Sequence, residues 1–350
     1  LEYIYGVFGK YFNQIDMNSF YRSHVLSVSQ FTTHDIDTIF RLASDLEPIA
    51  NKKMVTRVLE GAVLGNLFFE PSTRSRISFG AAFSRLGGSV CDTTGFQFSS
   101  MAKGESLADT SRVISGYVDM IVMRHPNEGS VAEFSTAATV PVINGGDGPG
   151  EHPTQALLDL YTIHKETRLF PHEFTKLTIA MVGDLKFGRT VHSLAKLLSL
   201  YKGVSFAFTS PPELGMPPGI VEELKAKGHQ VRITNSLEDG LLGADIVYVT
   251  RLQQERFSNP DDINKYQGYY RVNASVLERL CKPNVVLMHP LPRDSRPEAN
   301  ELSTDLNMHK GLAIFRQTDN GIPIRMALFA MALGVEKQVV KEFRPCSWAV

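Results

Sequence analysis

The chain has 350 residues, enough for two domains at roughly 100–200 residues each. With 43% hydrophobic and 21% charged residues it has an ordinary globular balance, which excludes a disordered or fibrous chain. The 36 Lys and Arg against 37 Asp and Glu leave a formal charge of −1, so nothing points to nucleic acid or a membrane surface as partner, and no apolar stretch approaches the roughly 20 residues of a membrane span.

Residues 1–20 read as an extension of unassigned role. They are rich in aromatic side chains, begin without Met, and lack the basic stretch and apolar run of a secretory signal; Met17 offers an internal start. From Thr32 onward short apolar runs alternate with amphipathic stretches. Ile36, Ile39, Phe40 and Leu42 recur at near-helical spacing within Asp35–Ala50. Ala62–Phe69 reads as a strand and Ser72–Leu86 as a helix stopped by Gly87 and Gly88. Met120–Met123 and Val140–Ile143 are buried-strand candidates, Gly145–Gly150 is a flexible loop that lets backbone approach a ligand, and Thr154–Lys165 is a helix.

A second set follows. Its strands are Leu177–Val182, Val204–Thr209, Gln230–Thr234, Ile246–Thr250 and Val285–Met288, with helices Thr190–Leu200 and Ile220–Lys227 among them. An apolar helix covers Arg325–Leu333. Uninterrupted apolar strands alternating with helices predict an α/β fold of two domains, each a parallel β-sheet flanked by helices, divided near residue 165. The tail, residues 341–350, holds the sole Trp and reads as a linker, a docking strand or disorder. Cys91, Cys281 and Cys346 are far apart and show no zinc-ligand spacing, so the expectation is a reducing, cytoplasmic setting and no metal site.

The strongest local signal is the run Phe-Phe-Glu-Pro-Ser-Thr-Arg-Ser-Arg from Phe68 to Arg76. A strand ends, Pro71 bars its continuation, and hydroxyl residues open a helix. Unsatisfied N–H groups at such a helix start bind anions, and hydroxyls with an Arg fork complete a phosphate cradle. A capped helix with surface arginines has the same look, because Ser and Thr are the usual N-caps. Arg74 and Arg76 stand about 200° apart on a helix, so one ligand does not meet both.

Other segments change the weighing. Lys103-Gly104-Glu105-Ser106, Met123-Arg124-His125-Pro126, His152-Pro153-Thr154-Gln155, Val182-Gly183-Asp184-Leu185-Lys186 and His289-Pro290-Leu291-Pro292-Arg293 follow the Ser72–Arg76 run in one order. Together the six are similar to the transcarbamoylase family, most closely its aspartate-using branch, over roughly His24 to Gly334. The family pattern usually has Thr where this chain has Ser75, a change that keeps the hydroxyl.

The resemblance implies transfer of the carbamoyl group of carbamoyl phosphate to the α-amino group of L-aspartate, without cofactor or metal. It implies that Ser72, Thr73, Arg74 and Ser75 hold phosphate and that Thr73, Arg124 and His152 point donors at the carbonyl oxygen, His152 as a polarising donor and not a nucleophile. Gln155, with the backbone carbonyls of Leu291 and Pro292, would orient the carbamoyl NH2. Arg189, Arg251 and Gln253 would bind aspartate. Ser99 and Lys103 would reach a neighbouring subunit's site, Lys103 also meeting aspartate, which makes a homotrimer the minimal catalytic unit. Arg74, Lys103, Arg124 and His152 form the expected catalytic set. Residues 21–165 would bind carbamoyl phosphate and residues 166–319 aspartate, with a helix at about 320–340 packing back on the first domain. A separate zinc-bearing regulatory chain is a further implied partner.

Other features separate the rival readings. Met181–Thr190 is again strand, loop and helix start, but it lacks the G-x-G-x-x-G spacing of a dinucleotide site, which argues against a nucleotide-binding oxidoreductase. Taken alone, Arg189 and Arg251 read as surface salt-bridging residues; in their family positions the resemblance implies the two cationic forks that a dicarboxylic acid needs. Ornithine-type relatives want an acidic group there and typically carry Cys where this chain has Pro290. Arg293 and Arg296 either tie down a moving loop or meet substrate charge, and Tyr266–Val272 is a candidate closure loop. The rival functions are a transcarbamoylase for another amino acid and a catalytically silent partner chain.

Overall fold

The computed structural model describes residues 20–95, 104–252, 268–297 and 299–348. Two parallel sheets organise it. The first contains β1 (Val63–Phe68), β2 (Ser89–Thr94), β3 (Met120–His125) and β4 (Val142–Asp147), in the order β2-β1-β3-β4. The second contains β5 (Thr178–Val182), β6 (Ser205–Thr209), β7 (Gln230–Thr234), β8 (Ile246–Val249) and β9 (Val286–Met288), in the order β9-β8-β5-β6-β7. Every neighbouring pair in both sheets is parallel. Strands buried on both faces have no polar alternation, which is why β3 and β8 read as continuous apolar runs and lie fully buried.

Two strands of these sheets differ from the sequence reading for physical reasons. β2, Ser-Val-Cys-Asp-Thr-Thr, has no apolar run because it is an edge strand whose Cys91 and Asp92 are exposed. β4 extends through Gly145 and Gly146 into the stretch read as a loop. Gly146 has φ of +115°, and a Cβ there would stand 2.9 Å from Arg124 Nη1 and 3.2 Å from Arg189 Cζ. The glycine is needed so that two arginines can close over the strand end, and it is buried.

The helix Gly321–Ala332 packs against Thr33–Ala50, Thr73–Arg85 and Pro153–Thr167, all three beside the first sheet. Nearly all its residues are buried, as expected of a helix apolar on every side. Phe329 meets Phe83 edge-on at 5.2 Å and Phe79 at 6.2 Å. Burying one such ring contributes about 2–3 kcal/mol. Tail residues Arg344–Pro345 pair antiparallel with Met54–Val55, so that part of the tail is a short docked strand. No helix among the described residues is long and apolar enough to cross a membrane.

Candidate active site

Strand ends from both sheets supply the site. β1 ends at Phe68; Phe69 N–H donates to Arg124 O at 2.9 Å, which ties the β1 exit to the β3 exit. Pro71 then turns the chain into the helix Thr73–Arg85. Ser72 is its N-cap residue, yet its side chain makes no capping bond. The first-turn N–H groups and the hydroxyls of Ser72, Thr73 and Ser75 therefore cluster at one helix start. Arg76 leaves this cluster for Asp92 at 3.6 Å. Arg74 faces Arg251 closely enough for the second guanidinium to reinforce the effect of burial, and its pKa is lowered.

Arg124, at the end of β3, is 9% exposed and its Nη2 lies 2.8 Å from Glu70 Oε2. Arg124 Nη1 donates to Gly145 O at 3.3 Å. Arg189 opens the helix Arg189–Leu198 after β5, and its side chain crosses to the first sheet. There its Nη1 donates to Gly148 O and its Nη2 reaches the same Glu70 Oε2 at 3.4 Å. One carboxylate thus joins cations from the two sheets. The β5 exit needs glycine at 183: φ is +112°, and a Cβ would stand 2.2 Å from Thr250 O.

His152 is the N-cap residue of the helix Pro153–Thr167 and is 3% exposed. Neither ring nitrogen has a hydrogen-bond partner. Burial, with the nearby charges of Arg189, Arg124 and Arg325, holds its pKa well below the ordinary value, so the imidazole is neutral. A neutral imidazole amid cations can donate to an oxygen that gains negative charge without needing a proton taken from solvent. Gln155, one turn along, donates from Nε2 to Asp159 Oδ1 at 2.9 Å.

The loop after β9 completes the region. Leu291 has φ of +56° and is followed by a cis peptide to Pro292. A left-handed non-glycine residue costs about 1–2 kcal/mol. It is offset by His289 Nδ1, which accepts the Leu291 N–H at 2.9 Å, while Nε2 of the same ring faces Glu301 at 3.0 Å. Arg296 pairs with Asp294, and Arg293 donates to Asn307 at 2.6 Å, so both cations tie down this loop. Ser99, Lys103 and Gln253 lie outside the described residues, as do residues 266 and 267 of the candidate closure loop.

Residues 23–165 match the family model described as aspartate/ornithine carbamoyltransferase, carbamoyl-P binding domain, and residues 175–332 match its Asp/Orn binding domain. The chain belongs to the aspartate/ornithine carbamoyltransferase family. It is 58% identical over 330 residues to the aspartate carbamoyltransferase catalytic subunit of Cellvibrio japonicus, covering 94% of this chain and 98% of that one. To the corresponding subunit of Dichelobacter nodosus it is 53% identical over 322 residues, 92% of each chain. Among solved structures, aspartate transcarbamoylase of Trypanosoma cruzi in complex with carbamoyl phosphate and aspartate superposes with a TM-score of 0.82 at 38% identity, covering 91% of this chain and 98% of that one. The catalytic subunit of the M. jannaschii aspartate transcarbamoylase gives 0.79 at 43% identity, over 90% and 98% of the two chains.

Three residues of this carbamoyltransferase fold that the sequence reading left without a role stand in the same region. Glu70 is visible in sequence as an acid between strand and Pro71, but its second partner lies 119 residues away. Asp159 accepts three side-chain hydrogen bonds while fully buried. Arg325 is 3% exposed, stacks over Phe79 at 4.4 Å and donates to Ser78 Oγ. Burial lowers its pKa to about 10. A lone Arg in an otherwise apolar helix was the signal available for it.

Proposed function

We infer that this chain transfers the carbamoyl group of carbamoyl phosphate to the α-amino group of L-aspartate, giving N-carbamoyl-L-aspartate and phosphate. The observation that carries the reading is the convergence of Arg124, Arg189 and the neutral, unpartnered His152 beside the hydroxyl-rich helix start. The phosphate dianion binds at Ser72, Thr73, Arg74 and Ser75. Thr73, Arg124 and His152 donate to the carbonyl oxygen, where negative charge grows as the amine attacks. Gln155 and the carbonyls of Leu291 and Pro292 accept from the carbamoyl NH2. Arg189, Arg251 and Gln253 take the two carboxylates of aspartate, and Lys103 and Ser99 enter from a neighbouring subunit. No group of the protein forms a bond to substrate; positioning and charge stabilisation lower the barrier.

The experiment is carbamoyl transfer by the purified chain, assayed with L-aspartate and with L-ornithine. Product with aspartate alone supports the reading, and product with ornithine alone refutes it. The assembly is proposed as a homotrimer with shared sites. Mixing His152→Ala and Lys103→Ala chains under reassembly restores activity if sites are shared, and restores none if each chain is self-contained. The relatives' designation as catalytic subunits supports a separate regulatory partner, proposed to be zinc-bearing on the family resemblance alone. Three free cysteines support a cytoplasmic location.

A further inference from the structure

Behind Gln155 lies a hydrogen-bond chain whose polarity is set at its far end. The His289 backbone N–H, which can only donate, gives its proton to Gln317 Oε1 at 2.9 Å. The Gln317 amide is thereby oriented, and its Nε2 donates to Asp159 Oδ1 at 2.7 Å. Tyr248 donates its hydroxyl to Asp159 Oδ2 at 2.7 Å. Gln155 Nε2 donates to the same Oδ1 as Gln317, at 2.9 Å. Asp159 and Tyr248 are fully buried, and His289 and Gln317 are 1% exposed. Oδ1 accepts from Gln317 whether Asp159 is ionised or carries a proton on Oδ2, so Gln155 has one way round: its NH2 toward Asp159, its Oε1 away from it.

The two ends of this chain are the two halves of the pocket assigned above to the carbamoyl NH2. One end is Gln155. The other is His289, whose ring holds the Leu291 N–H. We propose that Asp159 is a positioning residue that presents Gln155 to the substrate as a hydrogen-bond acceptor, and so sets the preference for an NH2 over a CH3 on the acyl carbon of the phosphate donor. This rests on the reading that Gln155 receives the carbamoyl NH2. A site built to pair with an N–H rejects the analogue that lacks it, because its own polar group is then left unpaired. If the Gln155 amide turned over, its NH2 would oppose the substrate's NH2, and a methyl group would suffer no such opposition.

The variants follow from counting donors. In Asp159→Asn the new amide can keep Oδ1 toward both glutamines and give Nδ2 to the Tyr248 hydroxyl, which turns to accept. In Tyr248→Phe the carboxylate still accepts from Gln155. In the double variant, Asp159→Asn with Gln317→Glu, the glutamate still accepts the His289 N–H and takes one N–H of Asn Nδ2, which now stands where Oδ1 stood. The other N–H of Nδ2 faces Gln155, which turns over to accept it through Oε1, while the Asn Oδ1 accepts from Tyr248. All three substitutions are close to isosteric and are made in the intact chain.

The measurement is kcat/KM for carbamoyl phosphate together with the inhibition constant of acetyl phosphate, its methyl counterpart, against carbamoyl phosphate. Asp159→Asn alone and Tyr248→Phe each keep the ratio of the two within about threefold, and the double variant lowers it by about tenfold or more, entirely through carbamoyl phosphate. A double variant that keeps the ratio overturns the proposal. So does a loss of acetyl phosphate binding that matches the loss for carbamoyl phosphate, since that marks a role in folding alone. Gln155→Ala separates the underlying reading: if it leaves the ratio unchanged, Gln155 is not the acceptor and the proposal fails with that reading.

Discussion

Glu70, beside the first sheet, reaches Arg189, at the end of the second, at 3.4 Å through the same Oε2 that holds Arg124 at 2.8 Å. Both guanidiniums are little exposed, at 11% and 12% of their side chains, so the carboxylate is a partly desolvated counter-charge and not a surface pair. Glu70→Gln removes that charge while keeping the shape. We expect kcat to fall by about tenfold and half-saturation by aspartate to rise, because two cations that converge on one site then repel each other. Steady-state kinetics with both substrates checks this; unchanged aspartate dependence would falsify it.

His152 is held neutral by burial and by three arginines. Its ring 15N shifts should therefore stay those of a neutral imidazole between about pH 6 and pH 8. His152→Ala should lower kcat by about 10²–10³-fold while changing half-saturation by carbamoyl phosphate much less, the pattern of a donor that acts on developing charge. A ring that titrates near pH 6.5 contradicts the assignment.

Arg251 stands near enough to Arg74 to help lower its pKa. Arg251→Met removes one fork for a dicarboxylate and relieves that repulsion at the phosphate end. Aspartate half-saturation should rise about 100-fold, and carbamoyl phosphate affinity, read by calorimetry, should hold or improve. Loss of carbamoyl phosphate binding would place Arg251 at the wrong substrate.

Burial lifts the Asp159 carboxyl from 3.8 to about 7, against the pull of its three hydrogen bonds. Between those two values the native state binds more protons than the unfolded chain. This group's contribution to stability therefore falls as pH rises from about 4 to about 7, and it is constant outside that window. Asp159→Asn deletes the term. Relative to wild type, the variant should gain stability as pH rises from about 4 to about 7 in urea unfolding, and a pH-independent difference would rule out the shift.

Much of this arrangement was legible because local rules coincide with the fold. The apolar runs of β3 and β8 are strands because burial on both faces leaves no room for polar alternation. The Ser72–Arg76 run reads as a helix start because its hydroxyls follow a strand end and Pro71, and the helix Thr73–Arg85 begins there. What sequence could not show is what depends on distant partners. β2 is polar because it is an edge, and an edge is defined by what fails to pair with it. Gly146 looks like loop glycine until Arg124 and Arg189 are seen to press on it. Asp159 reads as an ordinary helical acid, and its meaning comes from Gln317, 158 residues further on.

The helix Gly321–Ala332 completes the packing around the first sheet although every strand of the second sheet precedes it in the chain. A nascent chain that has exposed all of β1 to β4 still lacks Phe329 against Phe79 and Phe83 and has no Arg325 beside Ser78. At about 5–20 residues per second the ribosome takes many seconds more to deliver that helix, and the second sheet emerges whole in the interval. The half of the molecule encoded earlier is therefore the half that finishes folding last, and a stop codon shortly before residue 321 would strip one face of its sheet while leaving the cluster of Ile121, Met123 and Phe134 on the other.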